Sequence, residues 1–207
     1  MKYKSLWLGC LALMVLLSCR QNAELPYLGQ TTLQDGKTVH HKVGTFACYS
    51  QDSQLVDNAV LSQHIYVADF FFTSCPSICP RVIKEMMKIN DRFKDEPMVK
   101  LVSFTIDPKR DDVARLKLYA DNLGIDQSKW YFLTGDKDAV LDLANTFFVP
   151  AFEDKDAPGG FDHSGKIILV DKEGHVRSFS EGTDPETTPK LLDDIQTLVD
   201  TYKKATK

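Results

Sequence analysis

Ile65-Tyr66-Val67-Ala68-Asp69-Phe70-Phe71-Phe72-Thr73-Ser74-Cys75-Pro76-Ser77-Ile78-Cys79-Pro80 is an apolar run that ends at two cysteines four positions apart. Its first eight residues are nearly all apolar and β-prone, the pattern of a central strand buried on both faces. Val82, Met86, Ile89 and Phe93 then recur at helical spacing. Pro80 fits only in the first turn of that helix, where its missing N–H is not needed. A strand that runs into a helix, with paired cysteines at the turn, suggests a thioredoxin-like unit. With Cys75 and Cys79 on the first helical turn, residues i and i+4 share a face and the sulfurs are expected side by side. The positive end of the helix dipole favours thiolate over thiol there. Such a pair can bind a soft metal or cycle with a disulfide. Thioredoxin-type redox pairs are CxxC, one residue shorter, yet a CxxxC pair can still close a disulfide.

The flanking sequence supplies the rest of an α/β domain. Thr31–Leu33 and Thr38–His41 flank Gln34-Asp35-Gly36-Lys37, a hairpin turn. Phe46–Tyr49, Leu101–Ile106 and Trp130–Leu133 read as further strands, and Asp111–Leu123 and Asp138–Phe148 as helices, the first closed by Gly124. Residues 150–163, with Pro158-Gly159-Gly160, read as irregular. Lys166–Val170 and Val176–Ser180 form a hairpin about Asp171-Lys172-Glu173-Gly174, and Thr188-Pro189 opens a last helix to about Lys204. The expected fold is an α/β thioredoxin-like sandwich with a central mixed sheet, an N-terminal β-hairpin extension and helices on both faces.

Residues 1–18 read as a signal and not as part of the fold. Lys2 and Lys4 precede the apolar run Leu6–Leu17. That run is shorter than the ~20 residues a spanning helix needs but suits a signal peptide. Leu16-Leu17-Ser18-Cys19 resembles a bacterial lipobox, in which Cys19 is lipidated and becomes the first residue. The expected organisation is a signal over 1–18, a tether over 19–30 and the domain over 31–207. This places the domain on the exported, periplasmic side, held to a membrane by lipid. The formal charge is −4, or −6 without Lys2 and Lys4, and no Lys/Arg-rich run stands out. Nucleic acid is therefore not an expected partner. Few cysteines remain after Cys10 and Cys19 are set aside, so this is no disulfide scaffold.

Asp69-Phe70-Phe71-Phe72-Thr73-Ser74-Cys75-Pro76-Ser77-Ile78-Cys79-Pro80 resembles the signature of the Sco/SenC family. Thr105-Ile106-Asp107-Pro108-Lys109-Arg110-Asp111, Trp130-Tyr131-Phe132-Leu133-Thr134-Gly135 and Phe161-Asp162-His163-Ser164 are similar to three more of its segments, in the same order. The resemblance implies a membrane-tethered, thioredoxin-like copper protein that helps assemble the binuclear copper centre of cytochrome c oxidase. By position, Cys75, Cys79 and His163 match the family's copper ligands, and Asp162 and Asp107 match acidic positions that tune the site. The implied partner is the oxidase subunit carrying that centre, with another copper carrier as a second candidate.

Two thiolates and an imidazole form a soft, low-coordinate set that suits Cu(I), and Cu(II) with a further donor. Asp162 could accept a hydrogen bond from the His163 imidazole. Asp107 could equally turn the chain before Pro108. Cys48 reads as a buried strand residue and not as a third sulfur ligand. His40 and His41 are consecutive, so in a strand they point to opposite faces. Two function classes follow: a copper metallochaperone, or a thiol–disulfide oxidoreductase or redox sensor that uses the Cys75/Cys79 pair, as an oxidoreductase to reduce the oxidase cysteines.

Overall fold

The computed structural model describes residues 24–205. The signal over 1–18, the lipidation site Cys19 and the first part of the tether lie outside the described residues. No helix among the described residues is long and apolar enough to cross a membrane.

The strands are β1 (Thr31–Gln34), β2 (Lys37–His40), β3 (Ala47–Ser50), β4 (Leu55–Asp57), β5 (Ile65–Phe71), β6 (Val99–Thr105), β7 (Trp130–Thr134), β8 (Ala151–Glu153), β9 (Phe161–His163), β10 (Lys166–Val170) and β11 (Val176–Glu181). The helices are α1 (Asn58–Leu61), α2 (Cys79–Arg92), α3 (Val113–Leu123), α4 (Lys137–Thr146) and α5 (Thr188–Ala205). A mixed sheet of seven strands runs β11-β10-β5-β6-β7-β3-β4. Strands β5, β6 and β7 are parallel; β10, β11, β3 and β4 pair antiparallel at its sides. β1 and β2 form the separate N-terminal hairpin.

Every residue of β5 is buried, as expected of a strand inside a sheet covered on both faces. Phe71 packs against Tyr119 of α3 and Phe132, and its neighbour Phe70 points to the opposite face, onto Phe104 and Phe147 at the end of α4. Helices α2 and α3 connect consecutive parallel strands, and right-handed crossovers put both on one face. The carboxyl ends of β5 and β6 thus open at one edge, where the chain carries its cysteines.

The helix boundaries have local causes. Asp112 caps α3 by accepting from the Arg115 N–H at 2.8 Å, and Gly124 ends it at φ 64°. The expected start at Asp111 is two residues early: Asp112 is the cap, and the Asp111 side chain turns into the core. A second reading is corrected. Residues 150–163 are not irregular throughout: Ala151–Glu153 and Phe161–His163 pair antiparallel as β8 and β9. Strands of three residues are too short to show alternation in sequence. The same shortness hid β4 and α1.

Asp69, in the middle of β5, is buried. The Ser103 hydroxyl donates to it at 2.5 Å and itself accepts from the Trp130 indole N–H at 2.9 Å. Burial, only partly offset by the Ser103 bond, pushes its carboxyl up to about 7. The unfolded value is about 4, so the folded state holds the proton more tightly. This contribution to stability is complete below about pH 4 and lost as pH rises through about 7. Denaturant titrations of the wild type between these pH values should lose up to about 4 kcal/mol more than those of Asp69→Asn. Parallel pH profiles for the two proteins would refute this.

Candidate metal centre

Cys79 is the first residue of α2, and Cys75 lies four residues earlier in the turn that leaves β5. The expectation that both cysteines share the first helical turn is therefore corrected. Pro76 and the bends at 76–78 keep the chain out of helix until Cys79. The sulfurs still converge, and His163, at the end of β9, joins them. The two Sγ atoms and a ring nitrogen lie within 4.8 Å of one another, and all three residues are buried. His163 Nε2 is 3.8 Å from Cys79 Sγ. The other ring nitrogen, Nδ1, bonds to the Ser164 carbonyl at 3.1 Å, so it carries the hydrogen and leaves the Nε2 lone pair facing the sulfurs.

Two pegs hold these segments together. The first is Asp111, fully buried in the loop between β6 and α3. Its carboxylate accepts from the Thr73 N–H at 2.9 Å, the Thr73 hydroxyl at 2.5 Å and the Thr105 hydroxyl at 2.7 Å. Arg115 Nε adds a bond to the Thr73 hydroxyl at 3.1 Å. Two residues before Cys75, the cysteine turn is thereby tied to the sheet. The second peg is Arg110. It donates to the Asp107 carboxylate and to the Gly159 carbonyl, the latter at 2.7 Å, and stands over the Phe72 ring. Phe72 packs against Phe161 and, edge to face, against His163. Gly159 has φ 87°, and a Cβ there would meet the Phe72 ring at 2.6 Å. Only glycine lets the loop lie this close. Gly165, two residues past the histidine, likewise presses between Thr183 and Val82 of α2.

The two thiols differ. Burial pushes Cys75 up, but hydrogen bonds from the Cys79 side chain, the Cys79 and Ser77 N–H groups and the Ser77 hydroxyl outweigh it and hold Cys75 below its ordinary value. The helix start thus acts on Cys75 through its N–H groups, although Cys75 is not in the helix. Cys79 is pushed well up, first by burial and then by the proton it shares with Cys75, with Asp69 adding repulsion. Burial lowers His163, against smaller opposing effects of the Ser164 carbonyl and Asp162, so the ring is neutral and able to ligate.

The remaining expected residues fall outside this triad. Asp162 is exposed, and the hydrogen bond expected of it is made instead by the Ser164 carbonyl. Phe161 and His163 alternate inward on β9, which sends Asp162 outward. Asp107 is buried and serves the Arg110 latch. Cys48 pairs with Val56 across β3 and β4, is free, and is pushed up to about 11 by burial. His40 stacks on Tyr27, and His41 bonds to the Thr146 carbonyl, both away from the triad. Asp111 is the residue that sequence reasoning missed. Its place beside the Asp107-Pro108 segment was visible, but its inward turn was not.

The SCO1/SenC family model matches residues 34–200. A SCO2-like protein of Rickettsia conorii is 30% identical over 195 residues, covering 91% of this chain and 92% of its own. A protein of Stutzerimonas stutzeri named for suspected copper binding is 29% identical over 154 residues, covering 72% of this chain and 71% of its own. Among solved structures, a SCO1/SenC family lipoprotein of Bacillus anthracis superposes with a TM-score of 0.70 at 27% identity, over 76% of this chain and 95% of that one. BsSco, described as a member of the Sco family of cytochrome c oxidase assembly proteins with a disulfide switch, gives 0.66 at 27% identity, over 77% of this chain and 94% of that one.

Removing the Asp111 carboxylate strands three donors, one of them the Thr73 backbone N–H. Asp111→Ala should cost about 2–4 kcal/mol in urea unfolding and speed amide exchange over residues 73–75. Asp107→Ala, which leaves Thr73 and Thr105 paired, should cost about 1 kcal/mol. Equal losses in the two variants would contradict the assignment of Asp111 as the peg.

Proposed function

The chain belongs to the SCO1/SenC family, and from that premise we propose that it carries copper on Cys75, Cys79 and His163 and delivers it to the binuclear copper site of cytochrome c oxidase. The observation that supports this most is the buried cluster of two sulfurs and one imidazole nitrogen within 4.8 Å. This donor set fits copper. Two soft thiolates and one nitrogen suit the low-coordinate cuprous ion, and a further donor completes a cupric site. The electrostatics fit a cation as well. Burial and the negative charge of Cys75 keep the Cys79 proton in place. A bound cation would replace that proton and relieve the repulsion between two thiolates, so loading releases protons. His163 needs no such change, because its free Nε2 already faces the sulfurs. The wall formed by Phe72 and Phe161 limits water at the site. We place the domain on a lipid tether through Cys19 at the exported face of a membrane, in line with the lipobox-like sequence and the lipoprotein relative.

An anaerobic titration of the reduced protein should reach one copper per chain. Cys75→Ser and Cys79→Ser should each abolish tight binding. His163→Ala should weaken the cupric form by at least about tenfold and alter its thiolate-to-copper absorption bands. Reduced protein that takes up no copper would end this reading.

A second reading, thiol–disulfide exchange, is favoured by two free sulfurs this close together. Cys75, the more acidic thiol, would attack a substrate disulfide. Cys79 would then resolve the mixed disulfide, leaving the substrate as a dithiol and the pair oxidised. In an assay of substrate reduction, Cys75→Ser should abolish activity and His163→Ala should leave it intact. Loss in both variants would count against exchange as the main activity.

A further inference from the structure

Helix α2 begins at Cys79 and carries Arg81, Lys84, Lys88 and Arg92 at spacings of three, four and four. At 3.6 residues per turn these fall within an arc of about 80°, opposite the Val82, Met86, Ile89 and Phe93 core face. All four are exposed. They form a positive stripe roughly 16 Å long, at 1.5 Å per residue, on a chain whose net charge is −4. The helix has two acidic residues. Glu85 turns inward, with both oxygens held by Lys88 at 2.8 and 2.9 Å. Asp91 lies at the far end, beside Arg92. The side chains of Arg81 and Lys84, nearest the sulfurs, make no ion pair or hydrogen bond among the described residues. The stripe borders a cleft of about 450 Å³, which the Lys88-paired Glu85 also lines and whose far wall is Gly182, Thr183 and Pro185, with the exposed Asp184 and Glu186 on either side of Pro185. Thr183 also packs on Gly165, two residues from His163. The cleft therefore adjoins both arms of the metal centre.

We propose that this face of α2 is the docking surface for an acidic protein partner, which exchanges the metal at the Cys79 end of the same helix. The proposal rests on the metal-carrier reading and adds the chemistry of the partner's surface. A protein segment fits better than an anionic membrane for two reasons. The surface is a concave cleft and not a flat face. The unpaired cations concentrate at the sulfur end. Charge complementarity of this kind acts mainly on the rate of encounter and on orientation.

The test uses the full chain and, as probe, the fluorescently labelled copper-free domain of the oxidase subunit that carries the binuclear copper site. Arg81→Glu/Lys84→Glu should slow association at least about tenfold at low ionic strength. The gap should close near 1 M salt, where screening acts within about 3 Å. Lys37→Glu/Lys42→Glu, an equal charge change on and just after the distant β1–β2 hairpin, should leave the rate unchanged, and copper loading of the Arg81/Lys84 double variant should match wild type. Equal rates for wild type and the double variant overturn the proposal, as does no association of wild type at either salt. Binding to phosphatidylglycerol vesicles that is lost in the double variant, with probe association unchanged, assigns the stripe to a membrane and also overturns it. Salt-dependent, stripe-dependent association without copper transfer supports the docking surface and counts against the carrier reading alone.

Discussion

The Asp111 carboxylate is the constraint on which the rest of the site depends. It is fully buried, yet every contact it makes stands at the carboxyl edge of the parallel strands: Thr73 after β5 and Thr105 at the end of β6. A buried charge is tolerated only when hydrogen bonds replace its water, and here three donors do so. The consequence is geometric. The turn that leaves β5 cannot drift from the sheet, so Cys75 is held where the first N–H groups of α2 can reach its sulfur. A cysteine turn without this peg would still be followed by a helix, but its two sulfurs would have no fixed separation.

The histidine reaches the pair by a different route, through packing instead of a buried charge. β9 is three residues long and lies outside the main sheet. What holds it is contact with Phe72, the Arg110 bond to Gly159, and the seating of Gly165 against α2. Arg110 is half exposed and its pair with Asp107 is worth little in isolation. The two arms therefore differ in rigidity: the sulfurs sit on the core and the imidazole on an appended hairpin. A cluster of this construction can release the imidazole without disturbing the two sulfurs, as the proposed carrier role would require.

Much of this was legible in sequence, and the reason differs by element. β5 was readable because burial on both faces leaves an unbroken apolar run. α2 was readable from the spacing of Val82, Met86, Ile89 and Phe93. Cys75, Cys79 and His163 could be brought together only by resemblance to a known family, since no local pattern links residues 84 positions apart. The position of Cys75 outside the helix was not legible, because Pro80 permits a helix start anywhere in the preceding turn. Nor was the inward turn of Asp111, since Asp111-Asp112 offers two equivalent caps and only packing decides which faces the core. β8 and β9 failed for a third reason: three residues are too few to show alternation, and in β8 Phe152 and Glu153 are both exposed.

The described start of the chain adds a directional argument. Arg177, ion-paired to the buried Asp171 at 2.8 Å, donates to the carbonyls of Leu25 and Pro26, while Tyr27 lies over its guanidinium and the Leu28 N–H bonds to Val176. These contacts are at the start of β11. The other end of that strand, where Lys166 faces Glu181, adjoins Gly165 and Gly182 and hence His163. β5 has the same polarity, with Tyr66 beside Val170 at the strap end and Phe71 running into the cysteine turn. The segment before Leu28 is therefore fastened at the pole of the sheet opposite the sulfurs. Any pull exerted from upstream of Glu24 is borne by Arg177 and Asp171, and it reaches the metal centre only through the full length of the core strands.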